Sequence, residues 1–165
     1  MGLDMYLSKM EDLGVYDFSK SGMTDGKCNW VAEKIEVVSK AIFPDGQVKE
    51  QKFEVCNPTS SGTLYLPVVY WRKANAIHKW FVDLSGEEDN CQRIYVSGKN
   101  LKELVDLCKK VLRKHKLASE LLPTQSGFFF GSTEYDEYYF DDLKSTVEKL
   151  KDIDEDGEYV YQASW

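Results

Sequence analysis

Residues 100–116, NLKELVDLCKKVLRKHK, leave the chain little choice of conformation. Leu101, Leu104, Val105, Leu107, Cys108, Val111 and Leu112 fall on one side of a 3.6-residue helix, and charged residues take most of the rest. Asn100 and Glu103 read as a capping-box pair at its start. Lysines and an arginine crowd its last turn, where the helix dipole favours cations. A helix this one-sided must lay its stripe on another layer.

The other segments supply that layer. LDMYLSK alternates, with Leu3, Met5 and Leu7 on one face, and reads as a strand. Residues 10–30 have weak periodicity and several glycines, which predicts a loop with a short helical piece. KIEVVSKAIFPDGQVKEQKFEVC (34–56) reads as two strands around the turn signal PDG, and NPTSSG (57–62) as a loop. VVYWRKANAIHKWFVDL (68–84) reads as a helix with Tyr70, Trp71, Ala74, Ile77, His78, Phe81 and Val82 on one face. SGEEDN ends it, and CQRIYVS reads as a short strand. SGFFFG reads as a short buried strand. Ser132 or Thr133 then caps a helix to about Lys151, with Tyr139, Phe140, Leu143, Val147 and Leu150 as its stripe. The tail EYVYQASW alternates as a strand. The expectation is an α+β chain forming a single domain over 1–165, with a mostly antiparallel sheet and about three main helices.

A hydrophobic content of 42% with 13% aromatics argues against disorder. A net charge of -7 argues against general nucleic-acid binding, which needs a basic face, and leaves room for an acidic surface that meets a basic partner. No apolar run approaches the roughly 18 residues of a membrane span. MGLDMYLSKMEDLG has no basic n-region and carries Asp4, Glu11 and Asp12, so it does not read as a signal peptide. Cys28, Cys56, Cys91 and Cys108 stand far apart without a CxxC pair, and only His78 and His115 accompany them, which argues against a structural zinc site. Four free thiols fit a reducing cytoplasm. GxSxG, P-loop and Rossmann glycine patterns are missing, and no cofactor is expected.

Two stretches concentrate chemistry. GFFFGSTEYDEYYFDD (127–142) brackets three phenylalanines with Gly127 and Gly131, then opens a helix whose free N–H groups could hold an anion. Glu134, Asp136 and Glu137 fit its first turn, where negative charge is favoured. Asp136 also lies inside the apolar stripe, as either a cap partner of Thr133 or a buried acid with a task. Tyr135 and Tyr138 fall away from the core face. In YWRKANAIHKWF (70–81), His78 lies in the apolar stripe with Asn75 at its border; it is a satisfied core residue, a base or a ligand. Arg72 and Lys79 flank one edge, with Lys73 and Trp80 on the far side. Were His78 and Asp136 to meet across the core, they would make a base–orienter pair. Two further features read as solvated surface. DIDEDG (152–157) copies the start of a calcium loop but has Ala163 where the twelfth-position Glu belongs. Lys102, Lys109 and Arg113 form a basic side on the 100–116 helix.

The blocks MGLDMYL, YWRKANAIHKWF, LLPTQSGFFFGSTEYDEYYFDDL and YQASW together resemble a family of small phage- and prophage-encoded proteins without an established function; residues 10–57 have no counterpart in that pattern. The resemblance implies a viral accessory protein working in the bacterial cytoplasm. Three readings follow. The first is a non-catalytic binding protein that holds a small anionic ligand, such as a nucleotide signal used in host defence, through Trp71, Arg72, Asn75, His78, Ser132, Thr133 and Tyr135. The second is an acidic, tyrosine-rich module (134–142) that binds a host protein. The third is an enzyme acting on a nucleotide or phosphoester, with His78 and Asp136 as acid–base groups. A homo-oligomer is left open.

Overall fold

The structure, a computed structural model, describes residues 2–12, 22–24, 27–29, 35–42, 48–55 and 63–165. In chain order its elements are β1 (Asp4–Asp12), β2 (Gly22–Thr24), β3 (Lys27–Asn29), β4 (Ile35–Ile42), β5 (Val48–Val55), β6 (Thr63–Arg72), α1 (Asn75–Ser85), β7 (Ile94–Ser97), α2 (Gly98–Arg113), a 3₁₀ turn (His115–Leu117), α3 (Ala118–Leu121), α4 (Glu137–Lys149) and β8 (Glu158–Ser164). The class is α+β, with three long helices and a fourth of a single turn among the described residues. By internal contacts the chain falls into two compact units, residues 10–66 and residues 1–9 with 67–165.

In the unit 10–66, β2 pairs antiparallel with β3 and β4 with β5. The expected strand pair around PDG is therefore present, with Ile42 opposite Val48. PDG itself and NPTSSG lie outside the described residues. Where a loop with a helical piece is expected, β1 runs on to Asp12 and β2 and β3 follow, with no helix among the described residues there.

The other unit is built on a four-stranded antiparallel sheet in the order β6-β1-β8-β7. Alternation decides which face is dry. Leu3, Met5 and Leu7 of the first strand segment, Val69 and Trp71 of β6, Ile94 and Val96 of β7, and Tyr159, Tyr161 and Ala163 of β8 join one buried cluster with the helix stripes. Phe81 of α1 lies 3.8 Å from Tyr161, ring on ring. Leu101, Leu104, Val105, Cys108 and Val111 of α2 are buried as their spacing predicts, and so are Tyr139, Leu143 and Leu150 of the α4 stripe. Burial pushes the Cys108 thiol up to about 12, which makes it a packing residue.

Several boundaries differ from expectation, each for a local reason. VVYWR belongs to β6, and the helix starts only at Asn75. Between them Lys73 adopts φ 59 and Ala74 φ -75, ψ 69, with Asn75 N–H donating to Lys73 O at 2.8 Å. A left-handed residue followed by an inverse γ-turn turns the chain there without glycine or proline. GFFFG is a turn, not a strand: Phe130 N–H donates to Gly127 O at 3.1 Å, and of the three phenylalanines only Phe130 is fully buried. The box on α2 is Ser97 with Asn100, one turn before the expected Asn100–Glu103 pair. The cap of α4 is Asp136, whose Oδ1 accepts from Tyr139 N–H at 3.1 Å; Ser132, Thr133 and Glu134 precede the helix.

The start of α2 is held against the turn before β8. Gly98 N–H donates to Gly157 O at 2.9 Å. A Cβ on Gly98 would stand 1.9 Å from the Asp154 carbonyl oxygen, so only glycine fits. Gly98→Ala is expected to cost about 3 kcal/mol and lower the melting temperature by about 10 °C. Calorimetry that finds a shift below about 2 °C would show that the contact relaxes freely.

Candidate functional site

The junction of β6 with α1 and the start of α4 face each other across a cleft of about 490 Å³. One wall comes from the β6–α1 junction: Arg72, Lys73 and the first residues of α1. The other comes from α4 and the chain before it: Thr124, Gly131, Ser132, Glu134, Asp136, Tyr138, Tyr139, Asp141 and Asp142. The two stretches singled out in the sequence therefore converge. Lys73 and Gly131, both at positive φ, pack together at their meeting point; a Cβ on Gly131 would lie 3.5 Å from that of Lys73.

Asn75 fixes this arrangement. Its Nδ2 donates to Phe130 O at 3.1 Å and Ser132 O at 2.7 Å, and its Oδ1 accepts from Gln125 N–H at 3.4 Å. Both amide protons and the oxygen are thereby engaged, in a side chain that is buried. Asn75 borders the cleft, but its polar atoms hold the facing wall.

His78 is the next link. Its Nδ1 lies 2.7 Å from Tyr161 Oη and its Nε2 2.9 Å from Asp89 Oδ2. With Asp89 ionised, Nε2–H donates to the carboxylate and Nδ1 accepts the Tyr161 proton. Burial, and then the Asp89 charge, hold the Tyr161 hydroxyl well above the usual phenol range, so it keeps that proton. Asp89 Oδ2 also accepts from Gln125 Nε2 at 3.1 Å. Phe130 and Trp165 pack edge-on against the imidazole at 5.1 and 5.4 Å. His78 is thus a core residue with both nitrogens committed. It does not meet Asp136, whose carboxylate caps α4, so the condition for a base–orienter pair of the two is not met.

The remaining candidates divide. Arg72, Asn75, Ser132 and Asp136 line the cleft; Trp71, His78, Thr133 and Tyr135 do not. Trp71 is buried, and its Nε1–H donates to Thr146 Oγ1 at 2.9 Å, tying β6 to α4. Thr133 gives its carbonyl to Thr124 Oγ1 at 2.9 Å. Tyr135 packs edge-on against Tyr139 at 5.0 Å. The Arg72 side chain is 62% exposed, with its Nε 4.0 Å from Asp4. Outside the cleft, Lys102 reaches Glu155 of the acidic turn at 3.8 Å, and Asp154 there accepts from Asp156 N–H at 3.1 Å and Lys9 Nζ at 3.2 Å.

Sequence reasoning missed Lys73, Tyr138, Asp141 and Asp142 as cleft residues. Asp142 carried a signal: three residues after Tyr139 and one before Leu143, it borders the buried stripe. Burial pushes its carboxyl up to about 6; Lys149 opposes this, while Asp141 and Asp136 add to it. Asp136 accepts from Tyr139 N–H and Asp141 from Lys144 Nζ at 2.8 Å, whereas no hydrogen bond among the described residues reaches the Asp142 carboxylate. Compared with protein-family models, with curated proteins and with solved structures, the chain matches none.

A carboxyl whose folded pKa lies above its unfolded value binds protons more tightly when folded. Its contribution to stability is greatest below about pH 4 and is lost as pH rises to about 6. Asp142→Asn removes this loss. Urea unfolding across the pH range should find the variant gaining stability relative to the wild type between about pH 4 and 6, then a constant difference above. A difference that does not vary with pH would place Asp142 in water.

Proposed function

We propose that the protein binds a small ligand in this cleft without turning it over, and that the ligand is amphoteric. The observation that carries this reading is the opposition of charge across one cavity. Arg72, Lys73 and the start of α1, which has no side-chain cap, stand on one wall; Glu134, Asp136, Asp141 and Asp142 stand on the other. An anionic group suits the first wall, where Arg72 and Lys73 border the start of α1. Hydrogen-bond donors or positive charge suit the second, and the exposed Tyr138 offers a ring to a planar group. A nucleotide carries a phosphate and, in guanine, an edge of adjacent N–H donors that a carboxylate accepts in pairs. The resemblance to phage accessory proteins fits a nucleotide signal in a host cytoplasm. With both His78 nitrogens engaged outside the cleft, binding is favoured over acid–base chemistry.

Calorimetric titration with guanosine 5′-monophosphate tests the reading. The expected result is binding that weakens by about tenfold in Arg72→Ala and again in Asp142→Asn, with inorganic phosphate much weaker. No heat at millimolar nucleotide, or binding indifferent to both substitutions, would contradict it.

A second reading, an acidic interaction module of residues 134–142, draws on Tyr138 at 81% exposure. It predicts capture of a basic host protein whose affinity falls steeply between low and physiological salt. Salt-independent capture, or none, would count against it.

A further inference from the structure

Residues 122–136 join α3 to α4 without regular secondary structure. Within them, Thr124 Oγ1 donates to Thr133 O at 2.9 Å, so the ends of the segment 124–133 meet and the chain between forms a closed Ω-loop. The turn from Gly127 to Phe130 is internal to that loop. Its ties to the rest of the fold are few. Asn75 holds Gln125, Phe130 and Ser132; Asp89 holds the Gln125 amide; and Leu3 N–H donates to Phe129 O at 3.2 Å. Phe130 anchors it in the core against His78 and Trp165, with the half-buried Phe129 beside it, while Phe128 at its tip is almost fully exposed. Thr124, Gly131 and Ser132 of the same loop line the cleft.

We infer that the loop 124–133 is a hinged wall of the cleft, latched by Asn75, and that release of the latch opens the cleft to its ligand. This rests on reading the cleft as a binding site, but the opening itself belongs to the protein without ligand. The bonds that close the loop on itself survive opening, so it moves as a unit. The bonds lost converge largely on one asparagine, and the carbonyls it releases, Phe130 O and Ser132 O, gain water in exchange. Gly131 at φ 88 supplies a backbone position beside the hinge that does not resist the change.

Native-state amide hydrogen exchange in low urea, read by NMR on the ligand-free protein, decides this. In the wild type, the amides of Leu3 and Gln125, whose bonds cross from the loop to the rest of the fold, are expected to share one opening equilibrium, with lower protection than Leu104, Val105 and Cys108 in α2. In Asn75→Ala those two amides should exchange about tenfold faster relative to α2. The inference is overturned if the two loop reporters exchange only with α2 through global unfolding, if they open independently of one another, or if the substitution accelerates all amides alike. Should Asn75→Ala fail to fold, the wild-type pattern still decides between a shared local opening and none. A nucleotide that does not bind leaves these rates as they are, so failure of the binding reading and failure of the latch are separate results.

Discussion

Asn75 joins two parts of the chain that lie more than fifty residues apart, and it does so with one amide. Its donors reach the backbone carbonyls of Phe130 and Ser132, and its oxygen receives Gln125. A buried amide left unpaired would cost about 1–3 kcal/mol for each polar group, so the site is stable only with the loop in place. The neighbouring links extend the constraint. Gln125 passes to Asp89, Asp89 to His78 and His78 to Tyr161 in the last strand. The C-terminal strand, the first long helix and the cleft wall are thus joined by one line of hydrogen bonds through the core.

The same junction gives the cleft its character. The αL conformation of Lys73 and the inverse γ-turn at Ala74 rotate the chain from strand to helix over two residues. That leaves the first turn of α1 without a side-chain cap, beside Arg72. Across the cleft, Asp136 is consumed as a cap and Asp141 by Lys144, whereas Asp142 is strained by burial, opposed by the charge of Lys149 but with no hydrogen bond to its carboxylate among the described residues. This partly desolvated acid and the start of α1 line the same cleft, and the proposed ligand, bearing both charges, would be stabilised by both.

Much of the frame was legible because periodicity is a local signal. The alternation of Leu3, Met5 and Leu7 and the stripe of α2 each reported the face that is buried. The strand–helix boundary at 73–74 was not legible. Tyr70, Trp71, Ala74 and Ile77 happen to fit a helical period, and neither glycine nor proline marks the break. The run of three phenylalanines has the composition of a strand, yet it folds as a turn in which only Phe130 reaches the core. Arg72, Asn75, Ser132 and Asp136 could be named from residue type, but not the role of Asn75. Its partners are backbone atoms, which have no signature in sequence, and they lie on a loop whose path is set by tertiary contacts.

The most direct test is the Asn75 side-chain amide itself, observed by through-hydrogen-bond NMR couplings. The account predicts that its nitrogen couples to the carbonyl carbons of both Phe130 and Ser132 and that its two protons exchange slowly with water. Two rapidly exchanging amide protons with no coupling to either carbonyl would mean that Asn75 does not hold the wall, and that the cleft is assembled by something else.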